Sequence, residues 1–245
     1  SAAHTATRLF SELGADAHIL FDEPDGVNIN ERCGSTHLEA LSAYVSENRL
    51  PLGVAFDGDA DRCLCVNADG DVVDGDFIMA ICARDMLRRG KLARKTVVGT
   101  IMTNMGFTKF CEQNGINFIA TKVGDRYVLE EMEMEGYCFG GEQSGHVIFR
   151  DFATTGDGQL TALQLLAHLK QENVTLAEAA KVMSRYPQTM INVTVSHDGK
   201  LAFYMDAEVK RAIEEGKARL ADNGRVVARV SGTEPLIRVM VEGLD

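Results

Sequence analysis

Two α/β domains followed by a small α+β domain are predicted by three observations along the 245 residues. Helix-spaced and strand-like apolar segments alternate with short connections from Ala2 to Asn173. That order lays strands side by side and parallel beneath covering helices. At 184–188 the stretch "SRYPQ" interrupts the alternation, and beyond it one long charged helix stands among three strands, the pattern of a helix packed on a small antiparallel sheet. The composition, 45% hydrophobic and 25% charged, is that of a globular chain.

A first helix is expected over Ala2–Leu13, where Ala6, Leu9, Phe10 and Leu13 recur at helical spacing and Gly14 ends the run. "ADAHILF" (15–21) reads as a strand and "DEPDGVNINERCG" (22–34) as a loop. "STHLEALSAYVSENR" (35–49) reads as a helix begun at Ser35 or Thr36 with Glu39 at capping-box distance, and "PLGVAF" (51–56) as another strand. A domain of this kind ordinarily opens with a strand. The helix-first order therefore predicts a first domain truncated at its start, over 1–74. "CLCVNADGDVV" (63–73) reads as two strands joined around Asp69-Gly70, a dipeptide that favours tight hairpins.

A second α/β domain, 75–185, is expected from the run that follows. It comprises helix 75–90, strand 96–102, helix 104–115, strand 116–121, helix 125–136, strands 137–141 and 146–149, and helix 157–173. The last domain, 186–245, takes strand 189–195, a helix over 207–220, and strands 225–230 and 237–242.

Charge and cysteine usage narrow the function. A net charge of −11 without a basic stripe argues against a nucleic-acid surface, but leaves room for a phosphorylated small molecule, which needs only a few placed cations and N–H groups. No apolar run reaches the roughly 18 to 20 residues of a membrane helix, and "SAAHTATRLF" lacks a signal-peptide pattern, so a cytoplasmic address without membrane partners is expected. The six cysteines are scattered through apolar segments without a CxxC pair and read as reduced core thiols.

Four loops carry chemistry. "FDGDADR" (56–62) places Asp57, Asp59 and Asp61 at alternate positions after an apolar strand, with Arg62 closing the stretch. Three carboxylates so close repel one another unless a cation or water separates them. Calcium is a poor fit: counted from Asp57, an EF-hand needs Gly at position 6 and Glu at 12, where Arg62 and Ala68 stand. Magnesium, shared with phosphate oxygens, suits the loop better; a solvated acidic turn is the plainer alternative. In "GGEQSGH" (140–146), Glu142, Gln143, Ser144 and His146 crowd polar groups between glycines, as a sugar-binding loop or a plain hairpin turn would. "RVSGTEPLIR" offers Ser231, Gly232 and Thr233 between Arg229 and Arg238, a phosphate cradle or a simple connection. "TKVGDRYV" (121–128) sets Lys122 at a strand end, placed for proton transfer or phosphate contact if it is not merely a surface lysine.

Taken in order, "DGDADR", "KVGDRY", "GEQSGH" and "RVSGTEPLIR" resemble the α-D-phosphohexomutase superfamily over nearly the whole chain. "GVNINERCGSTH" and "TTGDGQLTALQL" are similar to its bacterial amino-sugar branch, which interconverts glucosamine 6-phosphate and glucosamine 1-phosphate for UDP-N-acetylglucosamine and the cell wall. The resemblance implies two phosphohexomutase-type α/β domains and a C-terminal domain like the TATA-binding-protein fold. It implies that Asp57, Asp59 and Asp61 hold Mg2+, and that Arg62 and Lys122 are catalytic. Glu142, Ser144, His146, Arg229, Ser231, Gly232, Thr233 and Arg238 would bind a phosphosugar substrate that passes through a sugar bisphosphate. It further implies rotation of the last domain about 184–188 and a homodimer of the full-length protein. The reaction needs a phosphoserine in a Ser-His-Asn loop, which is not found here; the chain is expected to be a C-terminal part, inactive alone. Phosphoglucomutase or phosphomannomutase activity, a magnesium-dependent sugar phosphatase using Asp57, and a non-catalytic metal-binding module are the other readings.

Overall fold

A computed structural model describes residues 2–232 and 234–244; Thr233 of the expected phosphate loop lies outside them. Two compact units result, Ser1–Thr103 with Phe107–Met183, and Asn104–Gly106 with Ser184–Asp245.

The first unit starts with helices α1 (Ala2–Glu12) and α2 (Glu39–Glu47) and strands β1 (Leu52–Phe56), β2 (Cys63–Asn67) and β3 (Val72–Val73). These strands form an antiparallel meander in the order β1-β2-β3, with Val54 opposite Cys65. The parallel sheet expected from the α-β-α-β order of residues 2–56 does not form, because 15–21 make no strand to lie beside β1; β1 pairs instead with β2, and their connection, 57–62, is far shorter than the dozen or so residues of a parallel crossover. The hairpin at Asp69-Gly70 forms as its sequence implies: Gly70 has φ +88°, and the Asn67 side chain accepts from the Asp69 and Asp71 amides at 2.9 Å each.

Two further expectations for this region do not hold. Residues 15–21 form no strand; their apolar pattern is strand-like, but a strand exists only by pairing, and no described strand lies beside them. Residues 34–36 make a 3-10 turn, and α2 begins at Glu39 after Leu38, which offers no side-chain cap.

Beyond Asp74 the order follows the sequence reading closely. Helix α3 (Gly75–Arg88) is capped by the Asp74 carboxylate, which accepts from the Asp76 and Phe77 amides. Then come β4 (Thr96–Thr100), α4 (Met105–Asn114), β5 (Asn117–Thr121), α5 (Asp125–Glu135), β6 (Phe139–Gly141), β7 (Val147–Phe149), α6 (Gly158–Glu172) and the short α7 (Leu176–Ala179). The sheet order is β5-β4-β6-β7, with β4 parallel to both neighbours and β7 antiparallel at the edge. One apolar core runs from Cys63, Cys65 and Val73 through Ile78, Phe107, Phe139 and Leu165. Near Gly75 the chain passes from the first sheet to the second, and both sheets lie in one compact unit. All six cysteines are free thiols, and burial pushes the Cys111 thiol up to about 12, so it stays protonated and unreactive.

The second unit holds β8 (Gln188–Thr194), α8 (His197–Phe203), α9 (Ala207–Leu220), β9 (Gly224–Val230) and β10 (Leu236–Gly243). Its three strands are antiparallel in the order β8-β10-β9, around Phe203, Ile237 and Met240. Glu242, 0% exposed, accepts from Arg225 Nε at 2.6 Å, Gln188 Nε2 at 2.9 Å and the Met105 amide at 3.0 Å. The Asn104 side chain clasps Tyr186 from both sides, donating to its carbonyl and accepting from its amide at 3.0 Å each. No helix among the described residues is long and apolar enough to cross a membrane.

Candidate active site: a carboxylate loop laced to a polar turn

The strand β1 delivers its chain end into the acidic loop, where Asp57, Asp59 and Asp61 bring carboxylate oxygens within 4.8 Å of one another. The loop is held by its own groups. The Asp57 carbonyl accepts from the Ala60 amide at 3.1 Å, and its Oδ1 from the Arg62 amide at 3.1 Å. Arg62 Nε stands 3.7 Å from Asp57 Oδ2 and 3.8 Å from Asp61 Oδ1, with no hydrogen bond to either. Asp61 Oδ1 is buried and has no hydrogen-bond partner. Converging carboxylates with one orphaned buried oxygen fit a hard divalent cation that prefers oxygen ligands. Burial, with Asp61 beside it, pushes the Asp57 carboxyl up from its ordinary value, as uncompensated negative charge should.

A raised carboxyl pKa favours the folded state below the unfolded pKa and penalises it as pH rises through the folded value. We expect Asp57→Asn to raise the melting temperature of the metal-free chain at neutral pH and to have no such effect at pH 3, by thermal melting. Magnesium binding runs the other way and weakens as pH falls, because its ligands must be deprotonated.

The polar turn lies at the tip of the β6–β7 hairpin and is stitched to the acidic loop by backbone. The Cys63 amide donates to the Gly145 carbonyl at 3.0 Å, the Gly75 amide to the Gln143 carbonyl at 3.0 Å, and Arg62 bridges to His146. At Gly75 any Cβ would sit 2.1 Å from the Glu142 carbonyl oxygen, so the helix α3 can start against this turn only with glycine there. Glu142 Oε1 accepts from the Gly124 amide at 3.0 Å, which draws the "KVGDRY" loop into the same neighbourhood. Ser144 Oγ is buried without a partner. Lys122 is exposed, with its ammonium 5.7 Å from the Tyr127 ring centroid, and Arg126 turns to Glu130 at 2.7 Å.

His146 departs from its expected place among the sugar contacts. Its ring is 3% exposed and both nitrogens are engaged, Nδ1 with Asp61 Oδ2 and Nε2 with the Gly156 amide, each at 2.9 Å. The loop 154–158 that supplies Gly156 was not singled out by its residue chemistry. Its signal was the close pair Gly156 and Gly158 around Asp157, which caps α6.

Arg229, Ser231, Gly232 and Arg238 belong to the second unit. Arg238 on β10 stands directly opposite Arg229 on β9, an unfavourable like-charge pair that Glu234 offsets from one side by pairing with Arg238. Ser231 is buried, and its Oγ accepts from the Glu234 amide at 3.2 Å. Lys200, which sequence reasoning missed because α8 was not foreseen, donates to the Ser231 carbonyl at 2.7 Å. Adjacent cations beside a small-residue turn suit an anion. A second grouping of ligand types, Asp85, His168 and Glu172, already has Arg88 on Glu172 at 2.9 Å and Arg89 on Asp85 at 3.0 Å.

Residues 74–186 match the model of the phosphoglucomutase/phosphomannomutase alpha/beta/alpha domain III, and residues 190–245 that of the phosphoglucomutase/phosphomannomutase C-terminal domain. Phosphoglucosamine mutase of Alkaliphilus oremlandii is 51% identical over 243 residues, covering 99% of this chain and 54% of that protein. That of Thermoanaerobacter pseudethanolicus is 54% identical over 237 residues, covering 97% and 53%. The chain thus spans about half the length of the curated relatives it matches. Among solved structures, a phosphoglucomutase/phosphomannomutase family protein of Burkholderia thailandensis superposes with a TM-score of 0.83 at 24% identity, over 100% of this chain and 54% of that one. Aspergillus fumigatus N-acetylphosphoglucosamine mutase, in complex with GlcNAc-6P and magnesium, gives 0.69 at 21% identity, over 88% and 50%.

Proposed function

The chain belongs to the phosphoglucomutase/phosphomannomutase family, and we propose that it supplies the metal, sugar and distal phosphate contacts of a phosphoglucosamine mutase. Such an enzyme interconverts glucosamine 6-phosphate and glucosamine 1-phosphate through a bisphosphate. The observation that carries this reading is the convergence of the three carboxylates beside a turn that keeps Ser144 Oγ without a partner. Identity of about half to phosphoglucosamine mutases favours the amino sugar over glucose or mannose.

Each residue has a task in that reaction. Asp57, Asp59 and Asp61 would hold magnesium, which when bound offsets negative charge on the phosphoryl group in transfer. Arg62, whose Nε forms no hydrogen bond, would donate to a phosphate oxygen. Lys122 offers an ammonium for proton transfer or phosphate contact. Glu142 and Ser144 would grip sugar hydroxyls, while Arg229, Ser231, Gly232, Thr233 and Arg238, with Lys200, hold the far phosphate. The phosphoryl donor is a serine outside these residues, because no Ser-His-Asn loop occurs in the sequence; turnover is assigned to a longer, cytoplasmic, homodimeric protein. The last unit corresponds to the family's TATA-binding-protein-like domain, and 184–188 to the hinge by which it turns between half-reactions.

Calorimetry with magnesium and the 245-residue chain tests the assignment. Glucosamine 6-phosphate should bind more tightly than the glucose and mannose 6-phosphates, with negligible isomerisation of any. Preference for glucose or mannose phosphate contradicts the amino-sugar reading, and turnover by the chain alone contradicts the external donor.

A further inference from the structure

The geometry points to a task for His146 outside sugar binding: it is a positioning residue that fixes Asp61 and selects which carboxylate oxygen faces the cation. This inference rests on the magnesium reading above. Two independent constraints set the imidazole. The Gly156 amide can only donate, and it lies 2.9 Å from Nε2; Nε2 must therefore present its lone pair, which in a neutral ring places the proton on Nδ1. Nδ1–H then donates to Asp61 Oδ2 at 2.9 Å. With Oδ2 occupied, the oxygen left without a hydrogen bond is the buried Oδ1, and the Asp61 carboxylate is one of the three whose oxygens converge.

The backbone is arranged so that this bond cannot be replaced by a looser one. A Cβ on residue 156 would lie 2.6 Å from His146 Nε2 and 2.7 Å from the Asp61 carbonyl oxygen, so glycine is what lets the 154–158 loop reach the ring. The neighbouring Gly158 amide donates to the Ala60 carbonyl at 2.9 Å, tying the same loop to the acidic one. His146 is thereby a rigid link through which the sugar turn and the 154–158 loop both hold one magnesium ligand. Groups that orient a ligating carboxylate through such bonds typically govern affinity by roughly 10–100-fold.

Magnesium titration calorimetry on the 245-residue chain, compared across variants, is the test. His146→Leu should weaken magnesium binding by roughly 10–100-fold. His146→Asn, whose side-chain N–H can stand where Nδ1–H stood, should recover most of that loss, a rescue that a space-filling role would not give. Nitrogen NMR of the wild-type imidazole should show the proton on Nδ1, and this readout decides the matter even if the leucine variant does not fold. Unchanged magnesium affinity in His146→Leu, asparagine no better than leucine, or a proton on Nε2 each overturns the positioning role alone. Failure of the wild-type chain to bind magnesium at all overturns both this role and the metal reading beneath it.

Discussion

Asp59→Asn is expected to abolish high-affinity magnesium binding, by a factor of about 100 or more, while leaving the metal-free chain as stable as before. Asp59 is the exposed member of the trio, and no hydrogen bond holds its carboxylate among those of the loop, so the substitution removes charge and a ligand atom without unseating a neighbour. Loss of a direct ligand should exceed the roughly 10–100-fold typical of losing an outer partner. Affinity of oxygen sites for hard cations follows the number of charged ligands, and only two would remain. Calorimetry gives the affinity and a thermal melt without metal gives the control. A variant that keeps wild-type affinity would remove Asp59 from the site.

The second large effect is structural and falls in the second unit. Glu242→Ala should destabilise that unit by about 3–5 kcal/mol, the cost of stripping one partner from a buried ion pair. Glu242 is fully buried and receives Arg225, Gln188 and the Met105 amide. Alanine would leave a guanidinium and an amide facing an empty space. Glu242→Gln keeps one acceptor oxygen and should cost less than alanine. Hydrogen exchange is the suitable readout, since faster exchange in β8, β9 and β10 with little change in β4 and β5 locates the loss. Equal loosening in both sets of strands would contradict a local role.

What the sequence made legible has a common physical character. The elements from Gly75 to Glu172 combine apolar periodicity with ends fixed by neighbouring residues, such as Asp74 and Asp157 capping the starts of α3 and α6, and Gly136 at φ +73° after α5. The opening segments failed where the answer depended on partners. "ADAHILF" has a strand's pattern without a strand's neighbour, so the parallel pair its place before β1 implied does not form and β1 pairs with β2 instead. Helices α7 and α8 are short enough that their caps, Thr175 with Glu178 and Ser196, outweigh any periodicity.

The candidate site divides the same way. The charge in "FDGDADR" and the crowding in "GGEQSGH" are local facts and mark chemistry without a structure. The bond between Asp61 and His146 joins residues 85 positions apart, and the Gly156 amide on its other nitrogen comes from a third loop, so no local pattern could show that both nitrogens of the histidine are engaged.

The most direct measurement is a crystal of this chain soaked with manganese in place of magnesium and read by anomalous scattering. One strong peak is expected roughly 2.0–2.3 Å from carboxylate oxygens of Asp57, Asp59 and Asp61, with Asp61 contributing Oδ1 and keeping Oδ2 on His146. A chain with no peak there, or with its peak instead at Asp85, His168 and Glu172, would contradict the magnesium assignment.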